Sequence, residues 1–251
     1  MAVKIEEERA WYGPLEYVLV TMILGLMGIF FWAIRGTGGY GGSAGGMLAG
    51  LGWAMLWYGF SRHGGQARNR PYGTGHVIAA IMLGIAVGGM TGYGVYVSWV
   101  KGDFLMGVTG AITVRPVSPL TGFAMMFICG LHWGGITGAF MAWCAPQQPA
   151  TKKTWALRIG AGVAGAVIAY FIADKVPQLF LPFYSEGVYN EANRDCVRAA
   201  GSTKNIMPHV GLYIGFLVAE CIRKDWRAIK VMLIMGLGFA IAFTLGAFWH
   251  R

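Results

Sequence analysis

The sequence predicts an all-α, polytopic integral membrane protein of about seven transmembrane helices, packed against one another through glycine. Three observations carry that prediction. Charged residues make up 12% of the 251 positions and hydrophobic residues 56%, whereas a soluble domain is about 25% charged. Glycine occupies 40 positions, roughly twice its ordinary share of about 7%, with no G-X-Y period that would point to collagen. The apolar residues also collect in segments close to the ~20 residues needed to cross a ~30 Å hydrocarbon core.

The first segment, Glu16–Arg35, reads as a retained span. Glu6, Glu7 and Glu8 spoil the basic n-region of a signal peptide, and the apolar run is too long for its h-region. Gly38–Phe60 follows after Gly36-Thr37 alone, which implies a tight hairpin or a broken helix. Val77–Val100, Thr121–Ala145, Trp155–Asp174, the short Ile206–Ile222 and Ala228–Trp249 complete the set. Lipid offers no partner to a free backbone N–H or C=O, so each span is expected to be helical. The whole chain, 1–251, reads as one transmembrane domain.

The charges orient it. Ser61–His76 carries Arg62, Arg68 and Arg70; Pro146–Arg158 carries Lys152, Lys153 and Arg158; the last connection carries Arg223, Lys224, Arg227 and Lys230, with Asp225 the lone acid. Lys101–Leu120 and Asp174–Met207 are nearly balanced in charge. The positive-inside rule then places the N-terminus in the cytoplasm and the C-terminus outside, in a cell inner membrane. Concentrated beside apolar segments, these charges describe topology rather than a nucleic-acid surface, and no nucleic-acid partner is expected. Most tryptophans and tyrosines fall at the two interfaces as an aromatic belt; Trp53 and Trp133 lie deeper.

Glycines recur every four residues: Gly38, Gly42, Gly46 and Gly50 in the second span, Gly84, Gly88 and Gly92 in the third, Gly130, Gly134 and Gly138 in the fourth. That spacing places them on one helix face, where the missing side chain lets backbones approach. An echo between Gly39–Trp53 and Gly130–Trp143 suggests a weak repeat of three hairpins, formed by spans two-three, four-five and six-seven, although glycine bias alone could produce it.

Chemistry is sparse. Cys129, Cys144, Cys196 and Cys221 form no CxxC pair, the five histidines show no i, i+4 pairing, and no HExxH or GxSxG motif occurs. No catalytic residue, metal or cofactor is expected. Arg35 stands before a glycine-rich helix start, which in physical terms resembles an anion site, or it snorkels to the outer surface. Tyr40 lies within that glycine run. His132 and Trp133 sit midway along the fourth span, with Thr91 and Thr137 at similar depth; His132 either contacts a solute or bonds across a helix contact, and each threonine either supplies a hydroxyl or bonds its own helix. Glu220, Asp174 and Glu16 read as interfacial.

Arg35, Tyr40, Thr91, His132, Trp133 and Thr137 are therefore the candidate substrate-binding residues. Arg35 and His132 would bracket one descending path if spans one, two and four adjoin. The function expected is a small transporter or channel for a polar small solute, anions among the candidates. The alternative is a non-catalytic subunit or scaffold of a larger membrane complex. The partners implied are the lipid bilayer, the solute, and either further copies of the chain or other membrane subunits.

Overall fold

A computed structural model describes residues 13–37, 42–62, 72–90, 93–108 and 110–249, with the side chains of 32–37 left out of the description. The chain is mostly helical, and five of its helices are long and apolar enough to cross a membrane. These are α1 (Pro14–Thr37), α5 (Pro119–Trp143), α6 (Lys152–Lys175), α7 (Arg194–Arg223) and α8 (Trp226–Trp249). Between α1 and α5 come α2 (Gly42–Ser61), α3 (His76–Gly88), α4 (Tyr96–Lys101) and the strands β1 (Asp103–Val108) and β2 (Ala111–Pro116).

Helix starts follow local chemistry. Pro14 opens α1, and the Gly13 N–H donates to Glu16 at 2.7 Å, so Glu16 caps the helix rather than merely marking an interface. Thr151 and Thr154 form a reciprocal capping box at the start of α6. Asp225 caps α8 by accepting the Ala228 N–H at 3.0 Å.

Packing bears out the glycine stripes where they are described. A Cβ added at Gly46 would come within 3.0 Å of the Ile85 carbonyl, and one at Gly50 within 2.9 Å of Met82 Cα, so α2 meets α3 through backbone. Gly84 and Gly88 press on Thr137 and Trp133 of α5. On its other side α5 packs antiparallel along α8, with Gly130 against Phe239 and Ala240, Gly134 against Met235, and Gly138 against Met232. Gly165 and Gly211 meet backbone to backbone where α6 packs on α7.

Four expectations are corrected. The third span is two pieces: α3, whose 13 residues reach only about 20 Å at 1.5 Å per residue, and α4, separated from it by non-helical residues. The sixth is not short: α7 runs for 30 residues from Arg194, and it buries Cys196, which lies within the segment Asp174–Met207 expected to be a loop. The preceding loop, Lys101–Leu120, holds an antiparallel hairpin with Asp103 opposite Pro116 and Val108 opposite Ala111, so the fold is not purely α. Finally, α5 pairs with α8 and α6 with α7, which is not the succession of three sequential hairpins that the echo suggested.

The core runs the length of α5. One end holds Tyr96, Trp99, Phe104, Cys129 and Ile206, the centre Ile136, Tyr213 and Met232, and the other end Ala54, Val77, Ile81 and Met141. The outward faces are apolar: Ile29 and Phe30 on α1, Ile159 and Ile168 on α6, and Ile241 and Phe248 on α8 are exposed.

Candidate functional site

Two places gather polar chemistry inside this packing. The first is the interruption of the third span. α3 climbs antiparallel to α5, passing Thr137 at Gly84 and Trp133 at Gly88, and stops halfway along α5. α4 resumes beside the other half, where Gly122 lies against the backbone of Trp99 and Val100. The break therefore falls opposite His132 and Trp133. Gly88 and Gly89 are buried there, and the Tyr93 ring meets the Trp133 ring edge-on at 5.8 Å. Trp133 also meets Phe243 of α8 at 4.8 Å.

His132 is wholly buried. Its Nδ1 lies 2.9 Å from the Ile128 carbonyl one turn back, and the Gly88 backbone at the end of α3 is a second hydrogen-bond partner. The His209 ring on α7 lies 5.8 Å away, centroid to centroid. Thr137 donates to the Trp133 carbonyl at 2.8 Å, which is the ordinary back-bonding of a helical threonine. Of the six residues picked from sequence, the structure thus brings His132 and Trp133 together at the break, with Thr137 one turn away. Tyr40, Thr91 and the Arg35 side chain lie outside the described residues. α1 packs on α2, α2 on α3 and α3 on α5, and the Arg35 end of the expected path lies outside the described residues.

The second place is one that sequence reasoning missed. At the end of the bundle where the basic loops lie, Arg158 of α6 and Glu220 of α7 are both wholly buried, with Nε to Oε1 at 2.6 Å. Trp143 of α5 donates its indole N–H to the same oxygen at 3.0 Å, and Arg223 donates to Oε2 at 2.6 Å. Asp225 accepts the Gln147 N–H at 3.0 Å through Oδ2 while Oδ1 caps α8. Arg158 Cζ stands over two indole rings, Trp143 at 4.8 Å and Trp155 at 4.9 Å. Its two terminal nitrogens are buried and have no hydrogen-bond partner among the described residues. Tyr72, in the loop before α3, also has a buried hydroxyl without a partner, and burial raises its pKa above the ordinary value.

A signal for this cluster exists in the sequence. T-K-K-T is a legible helix start at Thr151–Thr154, which puts Arg158 on the second turn of α6 rather than in a loop. Glu220 precedes Arg223 by the three residues of a helical ion pair. What the sequence does not carry is the partnership of two residues 62 positions apart.

The opposite end is closed by the hairpin. Arg115 makes a two-pronged ion pair with Glu186, one arm at 3.0 Å, and its guanidinium stands 3.6 Å from the Phe183 ring centroid. Hydrogen bonding to Arg115 holds the Glu186 carboxyl below its ordinary value. Among the described residues, no group of three metal-ligating side chains gathers. Comparison with known proteins adds no assignment: no family model, no curated protein and no solved structure matches this chain.

Proposed function

We propose that the chain is an integral membrane protein of seven crossings, with its N-terminus in the cytoplasm and its C-terminus outside, that transports or conducts a polar, anionic small solute. The observation that carries this reading is the interrupted third span. α3 is too short to cross alone, but α3 and α4 together cover both halves of α5. Non-helical backbone at half depth is tolerated in a bilayer only where protein buries it or a cavity adjoins it. Discontinuous helices of this kind recur where transporters hold solutes and coupling ions. Here the end of α3 faces a buried imidazole and an indole, His132 and Trp133.

The preference for an anion rests on Arg158. Among the described residues it is the one Lys or Arg side chain that is wholly buried, and a buried cation in a membrane helix commonly lines a functional path.

Reconstitution into liposomes and flux measurement across a panel of organic and inorganic anions tests the reading. The parent should move at least one solute faster than protein-free vesicles, and His132→Gln should slow that solute while retaining the fold. Flux no greater than that of empty vesicles for every solute would overturn it. A second reading, a subunit of a larger assembly, is favoured by one feature: α1 buries none of its apolar stretch and packs on α2. Detergent-solubilised mass separates the two, because stable co-purification with other chains supports the subunit.

A further inference from the structure

We infer that the free fork of Arg158 is a binding site for a phosphate oxyanion at the cytoplasmic end of the bundle. A guanidinium carries five N–H donors in one plane, and its two terminal nitrogens form the edge that matches two oxygens of a phosphate or carboxylate. In Arg158 the Nε edge is spent on Glu220, while both terminal nitrogens are buried without an acceptor among the described residues.

The neighbouring carboxylates bond other donors and do not reach these terminal nitrogens. Glu220 Oε1 takes Arg158 Nε and Trp143, and its Oε2 takes Arg223. Asp225 is committed to Ala228 and Gln147. The two indoles attract the cation through their faces but offer no lone pair in the guanidinium plane. An acceptor from outside the chain completes the set.

Charge favours an anion. Arg158 and Arg223 balance Glu220 and Asp225, and Lys152, Lys153, Lys224 and Arg227 around them are unbalanced. Access is through Trp155, which is 42% exposed on the outer flank of α6 and covers one face of the guanidinium. The proposed route to the fork is displacement of that side chain, which lies over one face of the guanidinium. Two sources of phosphate meet at the inner membrane interface, an anionic phospholipid headgroup and free inorganic phosphate. The inference uses the membrane placement proposed above but does not depend on transport.

The test is binding to the purified full chain. Thermal stability is followed in nanodiscs of phosphatidylcholine alone, in nanodiscs containing phosphatidylglycerol, and in phosphatidylcholine with millimolar inorganic phosphate against chloride. The parent should be stabilised in one phosphate arm, and the arm that responds names the source. Arg158→Lys keeps the charge and loses the planar fork, so its apparent affinity should fall by about tenfold. Arg115→Lys, at the far end, should leave affinity unchanged.

If Arg158→Lys does not fold, Trp155→Phe against the parent still reports, since loss of Trp155 should diminish the phosphate-induced change in tryptophan emission and leave the part carried by Trp143 over the same guanidinium. No response of the parent in either arm, or equal affinity in Arg158→Lys, would overturn the site. Binding without flux keeps the site and removes the transport reading; flux with no phosphate response does the reverse.

Discussion

Removing Glu220 should destabilise the protein more than removing Glu220 and Arg158 together. In Glu220→Ala, Arg158 is left buried with no anion, and the Arg223 and Trp143 donors lose their acceptor. Breaking a buried ion pair from one side costs about 3–5 kcal/mol, most of it the stranded charge. Arg223 adds little to that figure, because it keeps its hydrogen bond to the Gln148 carbonyl and lies 3.8 Å from Asp225, which can take it over. In Arg158→Met/Glu220→Leu no buried charge is stranded. The remaining loss is chiefly the orphaned Trp143 N–H, about 1–3 kcal/mol. Reversible denaturation in mixed detergent micelles of Arg158→Met, Glu220→Leu and their double variant closes the cycle, with Glu220→Ala measured beside it. A loss below about 1 kcal/mol in Glu220→Ala, or a double variant as damaged as the sum of the singles, would refute the account of a desolvated pair.

Four further outcomes are expected. Gly134→Leu and Gly46→Leu should each cost on the order of 1–3 kcal/mol in the same assay, because a Cβ there already meets the backbone of Met235 and Ile85; parental stability in both would mean the stripes do not hold the helices together. Glu186 has a folded-state pKa below its ordinary 4.5, because it accepts hydrogen bonds from Arg115. The pair therefore contributes fully above that value, and its contribution is lost as pH falls through the lower folded value. Amide exchange in the β1–β2 hairpin should accelerate in that acidic window, and Glu186→Gln should remove the pH dependence. Cys196 is buried and should resist an impermeant maleimide, whereas Glu191→Cys, at an exposed position, should label from outside intact cells; labelling only after permeabilisation means the orientation is inverted. In flux assays, Trp133→Ala should impair the transported solute as His132→Gln does, since both face the break in the third span, and an unaffected rate in both variants would place the path elsewhere.

The amino-acid sequence alone carries the expectation of a helical, membrane-spanning class, and the structure agrees in being mostly helical with five helices long and apolar enough to cross a membrane. Twelve per cent charge and apolar runs of helix length leave few ways to satisfy the backbone, and four-residue glycine spacing marks the faces that must touch. Those are local properties, with periods of a few residues, and they survive into the structure at Gly46, Gly84, Gly88, Gly130, Gly134 and Gly138. His132 and Trp133 stand out on the same terms, as polar and aromatic groups midway along an apolar helix.

The tertiary structure decided the rest. Val77–Val100 looks uninterrupted because glycine is tolerated in membrane helices, and only the fit of Gly88 against Trp133 shows where the helix stops. Arg158 reads as one more cytoplasmic charge until α7 brings Glu220 to within 2.6 Å of it. Whether a charge near a span's end is solvated or buried depends on which helix packs beside it, and helices equally apolar on several faces do not encode their neighbours in hydropathy. The pairing of α5 with α8 and of α6 with α7 comes instead from backbone-to-backbone fit at glycine, which is a property of two surfaces together and of neither segment alone.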